Sequence, residues 1–474
     1  MHVVLIQPPD GVPAASSLRL SRRTPSTLAP DWDILCLQAY LKAHSRHLST
    51  IVDCRLFADL ELEFEHAVDA VAGPKAIAVN TTGSNLGETA AVLEISKRRW
   101  PEIRTIIFGR FPSQFPEHIE AVARADYAIS GDPEPVLRSL LDYIDSDKRL
   151  QFIPGLNFAG KETSTAWLPD LNNLSLPDWG RVFWRAYHHP DQPGRQPAHM
   201  RLSRGHTREA CDRAWGAASE PLRLWPIDKL AQSVRASADL GVTEIFLDDP
   251  PGVWNPGRLR EWCQALARIY NKQNWGLQMV PCEMEQGLIG ELQAARCRRI
   301  DFIVPTCDKD LQEKFGISFK PRNFRKTVAA LERSGFEVFL RLWAGGPEEK
   351  KGGVRHAVRL IHHLPAAHVV LEPFPFFMDS PLYQSVSAES DAPRMEDWLR
   401  WMHDPWTLER PAGAWPARGG VRTLQKQMAS IQRQALRSPK WQARRLLHFM
   451  KSSYPARTAS HWAEWIFARI PHRA

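Results

Sequence analysis

A chain of 474 residues with 43% hydrophobic and 24% charged residues is too long for one ordinary core and has the composition of a soluble globular protein, so two or three domains are expected. No apolar run reaches the roughly 18 residues of a membrane-spanning helix, and "MHVVLIQPPDG" at the start reads as a first β-strand, not a signal peptide. The net charge of +8 is uneven: residues 391–474 hold 15 Lys/Arg against 6 Asp/Glu (+9), which leaves 46 basic and 47 acidic residues (−1) elsewhere.

Residues 1–145 alternate strand and helix patterns. Strands are expected at "HVVLIQ" from His2, "STIVD" from Ser49, "KAIAVN" from Lys75, "IRTIIFG" from Ile103 and "DYAIS" from Asp126. Amphipathic segments such as "ILCLQAYLKAH" and "GETAAVLEISKRRW" lie between them. Short apolar strands separated by helices predict a doubly wound parallel sheet, with ligands beyond its carboxyl edge. That edge carries "QPPDG", "NTTGSNLG", "GRFPSQFPE" and "SGDPEP", rich in Gly, Pro and small polar residues.

Residues 146–195 read as a turn-rich connector. A second β/α series follows over 196–388, with strands near "HMRLSRG" (199–205), "EIFLDD" (244–249), "GLQMVP" (276–281), "RIDFIVPT" (299–306), "EVFLRLWAG" (337–345) and "HVVLEPF" (368–374). Helices 227–241 and 323–335 each close on a Gly suited to a left-handed cap. Six such units predict a full or partial barrel whose chemistry sits at the strand carboxyl ends. Residues 389–474 form a basic, Trp-rich helical region. Its readings are a cap on the barrel, a peripheral membrane or apolar-substrate surface, and, on charge alone, a nucleic-acid surface, which is not expected.

The seven cysteines are scattered, with no CxxC pair. They imply reduced thiols in a cytoplasm, not a disulfide framework. Cys263 and Cys297 fall on helix patterns and read as structural. Asp248, Glu283 and Arg341 follow or occupy barrel strands and are the candidate catalytic groups. Asp249, Trp343 and Glu372 crowd the same mouth. Carboxylates there can act as acid or base, and an Arg on an inward barrel position needs an anionic partner.

The segments "AYLKAHSRHLSTIVDCR", "IFGRFPSQFPEHI" and "ADYAISGDPEPVL", then "LGVTEIFLDDP", "LQAARCRRIDFIVPTCDKDLQEKFG" and "EPFPFFMDSPLYQ", resemble in order and spacing the cobalamin-binding radical SAM superfamily over residues 1–385. The resemblance implies a corrinoid between the two domains. It points to Thr81, Thr82 and Ser84, to Gly109, Arg110 and Phe111, and to Gly131, Asp132 and Glu134 as its binding residues. Arg110 stands where the family has a second Gly, and reads either as a partner for a polar part of the cofactor or as a solvated charge. The Asp-x-His-x-x-Gly signature of another B12 family is absent, so no histidine ligand to cobalt is expected.

The same resemblance places a Cys-x3-Cys-x2-Cys loop after the first barrel strand, where this chain reads "SRGHTREACDRAW". His206, Ala210 and Arg213 fall on the three ligand positions; a one-residue shift recovers Cys211 but puts Ala214 third. Ala and Arg cannot ligate iron, so a 4Fe-4S cluster is not expected. S-adenosylmethionine binding is doubtful for want of the chelating iron. An alternative relocated metal site would draw on His206, Cys211, Cys282 and Cys307. The expected activity is therefore that of a cobalamin-dependent enzyme working by methyl transfer or cobalt redox on a small-molecule or lipid-like substrate. A reductase or cluster-bearing paralogue is a candidate partner. The alternatives are a non-catalytic cobalamin sensor or adaptor, and a radical SAM methyltransferase with relocated ligands.

Overall fold

The computed structural model describes residues 1–9, 18–19, 29–82, 85–116, 125–146, 152–187, 196–205, 220–307, 312–313, 319–344, 353–364, 368–373 and 430. Ser84, His206, Cys211 and the readings of the basic tail lie outside the described residues. The first unit runs β1 (His2–Gln7), β2 (Leu18–Arg19), α1 (Trp32–His44), β3 (Leu48–Asp53), α2 (Leu60–Asp69), β4 (Pro74–Asn80), α3 (Leu86–Arg99), β5 (Arg104–Phe108), α4 (Arg110–Gln114), β6 (Tyr127–Ile129), α5 (Pro133–Ile144) and β7 (Leu156–Asn157). Its sheet has the order β3-β1-β4-β5-β6-β7, parallel except at β7. Alternate residues of β1 feed two separate cores: Val4 and Ile6 one face, Val3 and Leu5 the other. A strand covered on both faces needs an unbroken apolar run, and "VVLI" supplies it.

The second unit contains β8 (Pro197–Met200), β9 (Ser203–Arg204), β10 (Arg223–Leu224), α6 (Ile227–Asp239), β11 (Glu244–Leu247), α7 (Pro256–Arg268), β12 (Asn274–Met279), α8 (Gln286–Ala294), β13 (Cys297–Val304), α9 (Pro321–Arg333), β14 (Glu337–Ala344), α10 (Gly353–His363) and β15 (His368–Pro373). Six parallel strands, ordered β15-β14-β13-β12-β11-β8, form a partial barrel wall. The predicted glycine caps are present: Gly241 and Gly335 have φ of +90° and +83°. On the helix side, Phe302 meets Phe324 edge-on at 4.9 Å; each such buried ring contributes about 2–3 kcal/mol.

Four features depart from the sequence expectation. The first barrel strand stops at Met200 instead of running to residue 205. The Ser203 N–H turns to the Asp249 carboxylate, and Ser203–Arg204 pair antiparallel with Arg223–Leu224. Cys297 opens strand β13 and does not lie on a helix; it is fully buried there. The connector is not wholly irregular, because β7 extends the first sheet and Ala166 bridges Gly131. Finally, Leu18–Arg19, although they follow β1 in the chain, pair antiparallel with β15 at the far edge of the barrel sheet.

Helix α1 joins the two units. Ile34, Leu37 and Leu41 enter a core of the first sheet, while Trp32, Leu35 and Cys36 enter the barrel core. A helix buried on opposite sides needs no polar stripe over most of its length, which accounts for the near-continuous apolar character of "ILCLQAYL". It also fixes the carboxyl edge of the first sheet against the carboxyl ends of the barrel strands.

Candidate functional site

The order β3-β1-β4 places a topological switch point between β1 and β4, the crevice where open α/β sheets take ligands. Gln7 ends β1 and Asn80 ends β4. The Asn80 amide donates to Gln7 Oε1 at 3.0 Å across the crevice, and neither residue was singled out from the sequence. Thr81 is fully buried and its hydroxyl donates to the Val79 carbonyl. The Thr82 N–H donates to Asn85 Oδ1. Gly109 has φ of +106°, and a Cβ there would lie 2.4 Å from Asn80 Oδ1, so only glycine permits this close approach of the two loops. Phe111 is buried against Phe115, as a wall and not as an exposed stacking surface. Arg110 is half-buried beside it. In the same short helix, Gln114 Nε2 is enclosed without a hydrogen-bond partner among the described residues.

The next loop is differently occupied. Gly131 has φ of +106°, and a Cβ there would stand 2.1 Å from the Ala166 carbonyl oxygen. Asp132 and Glu134, with side chains 2% and 0% exposed, pair with the barrel unit. Arg204 donates to Asp132 at 3.0 Å and to both Glu134 oxygens at 3.0 and 2.6 Å. Arg223 donates to the second Asp132 oxygen, which also accepts from the Leu168 N–H. Burial opposes the Arg204 charge, but Glu134, Asp33 and Asp132 outweigh it and hold the guanidinium protonated. Arg204 and Arg223, which precede and follow residues 206–219 in the sequence, are thus both tied to the first unit by buried ion pairs.

At the barrel mouth a polar chain runs from α1 into the barrel. Arg201 donates to Asp33 at 2.7 Å and lies 3.8 Å from Asp248. Gln278 donates to Asp248 at 3.0 Å and accepts from Arg341 at 3.3 Å. Arg201, Asp248 and Asp33 keep side-chain exposures of 39, 37 and 31%. Solvent therefore reaches them within the junction of the two units, as it does the walls of a cleft. The Asp33 charge, against the cost of burial, keeps Arg201 cationic. Asp249 points the opposite way from Asp248 and is fully buried. Its Oδ1 accepts from the Ser203 N–H and hydroxyl, each at 2.8 Å. Its Oδ2 has no partner among the described residues, and burial pushes the carboxyl up to about 6.

Of the three groups expected to be catalytic, the structure thus brings Asp248 and Arg341 together through Gln278. Glu283 stands apart: it is exposed and accepts from Asn323 at the start of α9 at 2.6 Å. Cys282 and Cys307 are half-buried against the barrel core, and burial pushes the Cys282 thiol up to about 12. No group of three or more His, Cys, Asp or Glu among the described residues has a metal-holding arrangement. Arg201, Gln278 and Asp33 were not picked out from the sequence. For Arg201 and Gln278 the available signal was a polar residue at alternate positions of strands on a barrel wall; Asp33, on α1, had no such signal.

A doubly wound sheet joined edge to edge with a six-stranded partial barrel is the fold of the cobalamin-dependent radical S-adenosylmethionine enzymes. Among solved structures the chain is similar to the radical S-adenosylmethionine methyltransferase TsrM from Kitasatospora setae. The form with tryptophan substrate and a SAM analogue gives a TM-score of 0.63 and 14% identity over 83% of this chain and 77% of that one. The form with cobalamin and a [4Fe-4S] cluster gives 0.64 and 15% over 83% and 76%. It is also similar to the cobalamin-dependent S-adenosylmethionine radical enzyme OxsB with aqua-cobalamin and S-adenosylmethionine, with a TM-score of 0.60 and 11% identity over 89% of this chain and 57% of that one. No family model and no curated protein matches the sequence. No helix among the described residues is long and apolar enough to cross a membrane.

Proposed function

We propose that this chain is a corrinoid-dependent enzyme built on a radical-SAM-type scaffold that does not hold the usual cluster. The observation that carries this reading is the meeting of two carboxyl edges: the β1/β4 switch point and the polar mouth Asp33–Arg201–Asp248–Gln278–Arg341 border one junction. The crevice fits a large amide-bearing ligand through Thr82, Gly109 and Arg110, with the orphaned Gln114 amide as a donor. Asp132 and Glu134 do not fit that role, since Arg204 and Arg223 occupy their oxygens. The cluster does not fit either: the loop after the first barrel strand carries one thiol, at Cys211.

A bound corrinoid would supply a transferable methyl group or a redox-active cobalt. The chain's own residues do the rest. Asp248 accepts a hydrogen bond from the substrate, Gln278 and Arg201 hold that carboxylate in place, and Arg341 receives an anionic or carbonyl group. A wall of alternating charges suits a small polar substrate over a lipid-like one. The test is anaerobic reconstitution with hydroxocobalamin, iron and sulfide, read by ultraviolet–visible spectra and metal analysis. Corrin bands with sub-stoichiometric iron are expected. About four irons per chain overturns the cluster-free reading, and no corrinoid uptake overturns the whole. A sensor or adaptor is the second reading, favoured by the mutual pairing of Asp33, Arg201 and Asp248 at rest.

A further inference from the structure

We propose that His199 is the proton acceptor of the barrel chamber, a catalytic residue lying one layer beneath the Arg201–Asp248 mouth. It rests on the proposed function for its substrate, but its geometry stands alone. His199 sits on β8 in register with Phe246 of β11, and their rings meet at 5.8 Å, tilted by 49°. Strand alternation puts Ala198 and Met200 in the apolar core behind the sheet and His199 on the opposite, inner face. The side chain is half-buried, so solvent reaches it.

A core histidine is normally fixed by at least one hydrogen bond. Among the described residues His199 makes none; its ring lies against Phe246. The floor beside it is tied together by Arg299. The Arg299 guanidinium lies over Phe246 at 4.9 Å and Phe339 at 4.3 Å, and Asp301 holds it with two bonds of 2.7 Å. The charges that act on the imidazole are Asp248 just after β11, Arg299 on β13, Arg201 beyond its own strand and Arg55 of the first unit. Burial, with the three arginines, lowers its proton affinity, while Asp248 raises it. Burial thus favours the neutral resting ring, and the neighbouring Asp248 favours the imidazolium once formed.

The substrate this arrangement serves carries an ionisable O–H, N–H or S–H at its reacting atom. A ring nitrogen takes that proton, the electron pair of the broken bond stays on the substrate atom as the nucleophile, and the imidazolium returns the proton to water through the mouth.

The test uses full-length protein labelled with carbon-13 at histidine Cε1, titrated by NMR, together with diethyl pyrocarbonate modification mapped by peptide mass spectrometry. One resonance, lost in H199Q, titrates with a midpoint below the ordinary value of about 6.5, and D248N lowers that midpoint further. The mapped modification falls on His199 in wild-type protein, which keeps the test valid if H199Q fails to fold. A silent, unreactive His199, or a midpoint unmoved by D248N, overturns the inference. Hydroxocobalamin binding with an inert His199 sinks this inference alone. A reactive His199 without corrinoid uptake sinks the proposed function and leaves the base.

Discussion

Replacing Arg204 by Met removes the guanidinium that reaches both oxygens of Glu134 and one oxygen of Asp132. Glu134 is 0% exposed and Arg204 9%, so water cannot take over the lost bonds. Asp132 keeps Arg223 and the Leu168 N–H, whereas Glu134 loses the ion pair altogether. Breaking one partner of a buried pair costs about 3–5 kcal/mol, while replacing both by apolar groups is often near neutral. R204M is therefore expected to lose about 3–5 kcal/mol in urea unfolding at pH 7, and R204M/E134L to regain more than about 1 kcal/mol of it. Equilibrium denaturation followed by tryptophan fluorescence measures both, and an unchanged slope shows that the compactness of the end states is preserved. A loss below about 1 kcal/mol, or a double variant no more stable than R204M, would refute the claim that this pair anchors the two units.

Other expectations follow from single contacts. G131A puts a Cβ 2.1 Å from the Ala166 carbonyl at a φ of +106°, and should lower stability by at least about 2 kcal/mol in thermal melts; a neutral change contradicts the packing of residue 166 against Gly131. For Asp249, burial raises the folded carboxyl to about 6, against about 3.9 when unfolded. The folded state thus binds the extra proton between those values, and stability falls as pH rises from about 4 to 6, by on the order of 2–3 kcal/mol. D249N should flatten that slope in urea midpoints measured across the range. Y187F removes the bond from the Tyr187 hydroxyl to buried Asp53, 2.7 Å long, and should cost about 1.5–3 kcal/mol; a change under about 0.5 kcal/mol counts against it.

The strands of both sheets were legible because burial on two faces demands short apolar runs such as "VVLI" and "FIV". The loop residues were legible as positions but not as partners. Gly109 was expected at the cofactor edge, and its positive φ does serve a close approach there, although the atom it approaches is Asn80. Asp132 and Glu134 read as cofactor-facing because their loop ends a strand of the first sheet. Their partners, Arg204 and Arg223, are 70 or more residues away, beyond any local pattern. His199 shows the converse: strand alternation could have marked it, but the first barrel strand was read as running on through residue 205, which blurred which of its residues line the barrel.

By itself the sequence determined the order of elements, the two apolar-strand sheets, the glycine-capped helices and the lack of a three-thiol loop, all local consequences of burial period and residue chemistry. The tertiary structure decided which charges meet. A buried charge finds its partner through the docking of two sheet edges about α1, and that docking turns Asp132 and Glu134 into anchors and brings Asp33 to the barrel mouth.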